Sequence, residues 1–345
     1  MNINELFKIA VDKEASDLHL VADMPPAIRI HGELNFIEGQ KAISVAEIEK
    51  MVFSILTAEE KAVFLVHKDL DFGYEADGNR FRVNIHYEKK HIGLVARVIN
   101  DHIPSIGELE MPPVVYRLLD LKQGLILVTG PTGCGKSTSL AAMVDYINEN
   151  FFCHIITLED PIEYIFKPKK AVIRQRQLGA DMENFPAGLK HALRQDPNVV
   201  MVGEMRDLET IATAITLAET GHLVLATLHT YSASQTIDRI IDTFPSHQQN
   251  QIRMQLSTTL AGIVSQRLLT RVDGGRVAAR EILINNSAVA NLIRENKNAQ
   301  IKTAMEIAGK EGMISMDRDI RGLYEKKLIS KETAQSYMEN PSLIK

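Results

Sequence analysis

Residues Gly130 to Ser137, GPTGCGKS, place glycine, lysine and a hydroxyl at the spacing G-x-x-x-x-G-K-[ST]. Glycines at those positions let backbone N–H groups approach an anion, and a following helix adds the partial positive charge of its N-terminus. Lys136 then reaches the β- and γ-phosphates of a nucleotide, and the Ser137 hydroxyl ligates Mg²⁺. The context fits. The apolar run Leu125–Val128 precedes the loop as a buried strand, and Leu140, Met143, Val144 and Ile147 follow it at helical spacing.

Ligands of open α/β sheets sit at the carboxyl ends of the strands. Four runs read as core strands: Leu125–Thr129, His154–Leu158, Asn198–Val202 and Leu223–Leu228. Each ends in polar chemistry: the phosphate loop, then Glu159-Asp160-Pro161-Ile162-Glu163, then Gly203-Glu204 with Arg206 and Asp207, then His229-Thr230. Hydrolysis of a phosphoanhydride needs a group that orients or deprotonates water, and groups that hold the metal. Glu204, abutting an apolar run, is the candidate for the water. Glu163 and Asp160 either hold Mg²⁺ through its waters, or Glu163 shares the role of base. Candidate nucleotide contacts are Thr132, Gly133, Cys134, Gly135, Lys136, Ser137, Thr138, Asp160 and Arg206, with Ser137, Glu163 and Glu204 around the metal. His222 and His229 lie at the two ends of one strand, about 23 Å apart at the rise of extended chain, so they do not serve one phosphate together. His229 is the candidate γ-phosphate sensor, and His222 holds a turn or faces a neighbour.

Stepping outward, residues 119–284 alternate strand and helix, the pattern of a parallel sheet covered on both faces. Gly274-Gly275 turns into a further strand, Val277–Ile284, and residues 285–345 read as short helices. Residues 1–100 read as a separate mixed α/β domain, joined through a proline-bearing linker at 101–118. In it Asp17–Leu20 and Ala27–Ile37, the latter broken at Gly32, read as strands, and Ser44–Val66 as helix. Asp69–Ala76, Arg80–Glu88 and His91–Asn100 follow as a meander. Two-residue turns at Asp77-Gly78 and Lys89-Lys90 pair Tyr74 with Phe81, Phe72 with Val83, and Ile85 with Leu94 on one apolar face. The same register sets Arg82 opposite Arg97 on the other face. Like charges directly opposite are unfavourable unless both are solvated or an anion lies between them, and guanidinium forks match phosphate oxygens. Arg82 and Arg97 are therefore candidate γ-phosphate contacts.

Composition narrows the classes. With 45% hydrophobic and 24% charged residues, the 345-residue chain buries ordinary cores, and its net charge of −5 implies no broad basic surface. A nucleic-acid partner is not expected, and no Lys/Arg-rich stretch suits the pore loops of a helicase. No apolar run approaches the length of a membrane span, and the first residues lack a signal-peptide pattern, so a cytoplasmic protein is expected. The two cysteines, Cys134 and Cys153, make neither a zinc pattern nor a disulfide framework.

GPTGCGKST (130–138), TLEDPIEY (157–164), VMVGEMRDLET (200–210) and TGHLVLATLHT (220–230) resemble the Walker A, Asp-box, Walker B and His-box motifs of bacterial type II/IV secretion ATPases. With ASDLHL (15–20), RFRVN (80–84), AGIVSQRL (261–268) and RVAAREI (276–282), the likeness to the type IV pilus retraction ATPases of that family covers nearly the whole chain. The resemblance implies an N-terminal PAS-like α/β domain, a RecA-like P-loop core and a homohexameric ring using ATP with Mg²⁺. It further implies removal of pilin subunits through an inner-membrane platform protein at the cytoplasmic face, with membrane association through partners only. One departure stands out: where the family signature carries its first arginine in AIRNLIRE, this chain has Ala290. That leaves an accessory paralogue, or a partnership with a second pilus ATPase, beside the principal motor.

Overall fold

The computed structural model describes residues 2–30, 32–99 and 102–344. Asn100, expected to end a strand, and Asp101, expected to open the linker, lie outside the described residues. The chain divides into two compact units, Met1–His102 with Glu163–Ile165, and Ile103–Ile162 with Phe166–Lys345.

In the first unit helix α1 (Ile3–Asp12) is followed by strands β1 (Asp17–Leu20), β2 (Ala27–Ile30) and β3 (Glu33–Phe36). Helices α2 (Val45–Phe53) and α3 (Ala58–His67) then lead to β4 (Asp69–Ala76), β5 (Asn79–Glu88) and β6 (His91–Ile99). The expected single helix over Ser44–Val66 is two helices. Thr57 and Glu60 form a capping box at the start of α3, satisfying backbone donors that would otherwise continue a longer helix. The antiparallel sheet has the order β3-β2-β1-β6-β5-β4. Its register is the expected one: Tyr74 opposite Phe81, Phe72 opposite Val83, Ile85 opposite Leu94 and Arg82 opposite Arg97. Asp77, Gly78, Lys89 and Lys90 all have positive φ, as a two-residue I′ turn requires, so Lys89-Lys90 makes a tight hairpin despite its poor turn chemistry. Leu6, Phe7, Phe64, Phe81, Val83 and Ile85 fill the core between helices and sheet.

The second unit begins with α4 (Val114–Leu119), inside the stretch read as a linker; its Val114, Val115, Leu118 and Leu119 are buried. Then come β7 (Gly124–Thr129), α5 (Lys136–Asn150), β8 (His154–Glu159), β9 (Val172–Gln177), α6 (Phe185–Ala192), β10 (Val199–Val202), α7 (Leu208–Glu219) and β11 (Leu223–Leu228). Helices α8 (Ala233–Asp242) and α9 (Ser246–Thr259) precede β12 (Leu260–Thr270) and β13 (Arg276–Ile284). The chain closes with α10 (Ser287–Arg294), α11 (Ile301–Ile307), α12 (Met316–Glu325) and α13 (Lys331–Tyr337). The sheet order is β13-β12-β7-β11-β10-β8-β9, with every neighbouring pair parallel except β12 and β13. Two strands go beyond the sequence reading. Polar Ser265-Gln266-Arg267 interrupts the apolar run of β12, and β9 is a half-exposed edge strand. Strands β7, β10 and β11 are buried along their whole length, as central parallel strands must be. Among the described residues no helix is long and apolar enough to cross a membrane.

Candidate functional site

The loop from Gly130 to Gly135 leaves β7 and enters α5 with Gly135 in the left-handed region and no side-chain cap on the helix. The cap residue Gly135 has no side chain to fold back over the start of α5, the setting in which a helix N-terminus can take an anion. Gly130 is obligatory here. Its φ is 144°, and a Cβ would lie 2.3 Å from the Gln266 carbonyl oxygen and 2.6 Å from Cys134 Sγ.

Around this loop the parallel strands deliver their terminal residues. Lys136 Nζ donates to the carbonyls of Gly130 and Pro131, each at 2.9 Å, and lies 3.5 Å from His229 Nδ1. His229 Nε2 is 3.3 Å from Glu204 Oε2, and Glu204 Oε1 pairs with Arg206 Nη2 at 2.6 Å. The ammonium on one ring nitrogen and the carboxylate on the other suit an imidazole that accepts at Nδ1 and donates at Nε2. Lys136, His229, Glu204 and Arg206 thus form one continuous chain of charged and polar groups across the ends of α5, β11 and β10. The Glu204 loop is fixed from below by β11, since Thr227 Oγ1 donates to the Gly203 carbonyl and Met205 N donates to the Thr227 carbonyl at 3.1 Å.

Other expected residues fall as follows. Thr132, Gly133 and Ser137 are exposed, Thr138 is half-buried, and Cys134 is buried with burial pushing its thiol pKa up, which disfavours a reactive thiolate. Asp160 is exposed just beyond β8. Asp207, beside Arg206, caps α7 through Thr210 N at 2.8 Å. His222 sits at the other end of β11 from His229 and bonds the Leu217 carbonyl at 3.0 Å, the turn-holding role. Arg82, Arg97 and Glu163 belong to the first unit. There Arg97 Nε donates to Asp17 Oδ1 at 2.9 Å, and Arg29 lies 3.7 Å from the other oxygen. Across the sheet the row runs Arg29, Asp17, Arg97, Arg82, one buried carboxylate among three guanidiniums. Among the described residues no cluster of His, Cys, Asp and Glu forms a ready metal site. A divalent ion here would lean on Ser137 and on phosphate oxygens, the donor set that Mg²⁺ accepts.

Sequence reasoning passed over three features. Glu159, 6% exposed at the end of β8, accepts from Thr157 Oγ1 at 2.6 Å and Gln175 Nε2 at 3.0 Å. Gln266 of β12 bonds the loop directly. A cavity of about 300 Å³ opens along the outer side of the loop, lined by residues 131–134 with Tyr231, Arg267 and Tyr337 among others. Only the polar interruption in β12 gave a signal for any of these.

A buried parallel strand, a glycine loop entering a helix, and an acid and an imidazole at neighbouring strand ends define a P-loop nucleotide-hydrolysing core. The chain belongs to the type II/IV secretion system protein family, whose model matches residues 107–344. It is 44% identical over 342 residues, 99% of each chain, to the type IV pilus retractation ATPase PilT of Pseudomonas aeruginosa. It is 43% identical to a twitching motility protein of Neisseria gonorrhoeae, over 93% of this chain and 86% of that one. A crystal structure of the pilus retraction motor PilT with bound ADP superposes with a TM-score of 0.94 at 44% identity, over 99% of this chain and 98% of that one.

Proposed function

We propose that this ATPase is the motor of type IV pilus retraction, hydrolysing ATP with Mg²⁺ in a homohexameric ring and working on pilin through an inner-membrane platform protein at the cytoplasmic face. The observation that carries the reading is the Lys136–His229–Glu204–Arg206 chain beside the phosphate loop. Lys136 neutralises the β- and γ-phosphates, and the N-terminus of α5 holds their oxygens. Ser137 contributes a ligand to Mg²⁺, which supplies charge neutralisation on the phosphates when bound, with Glu163 and Asp160 supporting it through water. Glu204 polarises the attacking water, and His229 senses the γ-phosphate and passes its presence to Glu204. Arg82 and Arg97 bring positive charge to the γ-phosphate, a role guanidinium forks fill well. The base and ribose lie along the cavity of Tyr231, Arg267 and Tyr337, where a ring has aromatic partners.

A second reading, an accessory retraction ATPase working beside a principal one, rests on Ala290 in α10, where the family signature has arginine. The Gly203-Glu204-Met205-Arg206-Asp207 run favours the principal motor.

Titration of the purified chain with ATP and with its Lys136→Ala variant tests the nucleotide assignment. The variant is expected to bind at least about 100-fold more weakly, the cost of removing one partner of a close charge pair. Parental affinity and turnover in the variant would sink the assignment.

A further inference from the structure

Strand β12 carries a glutamine where a buried parallel strand ordinarily carries an aliphatic residue. Gln266 is 2% exposed, and both ends of its carboxamide are used. Its Nε2 donates to the Cys134 carbonyl at 2.7 Å, in the middle of the phosphate loop. Its Oε1 accepts from Ser139 Oγ at 2.8 Å, on the first turn of α5 beyond the loop. The backbone of the same residue defines the loop's entry, since its carbonyl oxygen occupies the space a side chain at Gly130 would need. At the loop's exit, a Cβ on Gly135 would lie 3.3 Å from Gln266 Nε2. Directly before it, Ser265 pairs with Thr129 in register, and their hydroxyls are 2.7 Å apart, which locks β12 to β7 at the residue where the loop begins.

These contacts share one consequence. The Cys134 carbonyl has to point away from the hollow of the loop if the N–H groups are to point into it, because an inward-turned carbonyl would place negative charge against a phosphate. A buried donor at 2.7 Å holds that peptide in the required sense. We infer that Gln266 is a positioning residue for nucleotide binding: its amide N–H fixes the Cys134 peptide so that the loop presents donors to the phosphates. The inference rests on the nucleotide reading of the loop. It assigns to β12 a function that the loop motif alone does not contain.

The test separates the two arms of the carboxamide. Gln266→Glu keeps the shape and the acceptor for Ser139 but loses the donor to Cys134, while Ser139→Ala does the reverse. Gln266→Met removes both arms at similar length and carries no charge. ADP affinity by calorimetry is expected to fall about 10- to 100-fold in both Gln266 variants, the scale of leaving one buried polar partner unsatisfied, and less than about 3-fold in Ser139→Ala. KM for ATP should rise by more than kcat falls, and the unfolding temperature of Gln266→Met without nucleotide should stay within about 4 °C of the parent's. Parental ADP affinity in the Gln266 variants overturns the inference. So does a loss in Ser139→Ala equal to that in Gln266→Glu, or unfolding of both Gln266 variants, since either result makes Gln266 a core latch. ADP binding by the parent chain in the same experiment tests the underlying nucleotide reading separately.

Discussion

At the scale of the residue, what matters is that Glu204 is not an isolated acid. Its side chain is 15% exposed, with Arg206 on one oxygen and His229 on the other. A carboxylate so placed has its orientation fixed before water arrives, which is what a group that polarises a nucleophile needs. Glu204→Gln preserves the shape and both neighbours while removing the base. It should keep ATP bound and lower turnover by about 100-fold, measured as phosphate release at saturating ATP. Normal turnover in this variant, with slow turnover in Glu163→Gln, would transfer the role of base to Glu163. The sequence made most of this site legible, because Lys136, Glu204 and His229 each sit where an apolar strand or the glycine loop ends. It did not reveal Gln266 or Glu159, whose importance comes from contacts with the distant Cys134 and Gln175. A polar residue inside a strand says only that a partner must exist, not which one.

At the scale of the element, legibility followed locality. The register of the β4–β5–β6 meander was readable because each tight turn fixes it and a slip by one would put Phe81, Val83 and Ile85 on the wrong face, although β5 begins at Asn79, one residue before the expected Arg80. The pairing of β1 with β6 was not readable, since Asp17 and Arg97 lie 80 residues apart and no hairpin joins them. That pairing changes the meaning of the arginine row. Arg97 has Asp17 as a partner, whereas among the described residues Arg82 has no carboxylate partner, so the pair is less repulsive than the sequence suggested yet still carries excess positive charge. Arg97 remains 63% exposed while its partner Asp17 is buried, so solvent screens the guanidinium side of the pair and leaves it open to a further anion. If the row serves the γ-phosphate, Arg82→Ala and Arg97→Ala should each lower turnover at least about 10-fold with nucleotide binding and assembly retained. Turnover at the parent rate in either variant would leave that arginine as a solvated surface charge.

At the scale of the whole molecule, the described residues form one hydrophobic core under the six-stranded sheet, one around the seven-stranded sheet, and a smaller one where α12 and α13 meet β12 and β13. The phosphate loop with Lys136, Glu204, Arg206 and His229 belongs to the second unit, and the arginine row and Glu163 belong to the first. Heterologous contacts between copies of a chain close into rings when the rotation between subunits divides the circle. The prediction is an assembly of about six copies of the 38.5 kDa chain in the presence of ATP, measured by sedimentation. Because assembly follows mass action, turnover per subunit should fall on dilution and recover on concentration. A species that sediments as a monomer at every concentration, with turnover per subunit unchanged on dilution, would show that one chain completes the site alone and would contradict the ring.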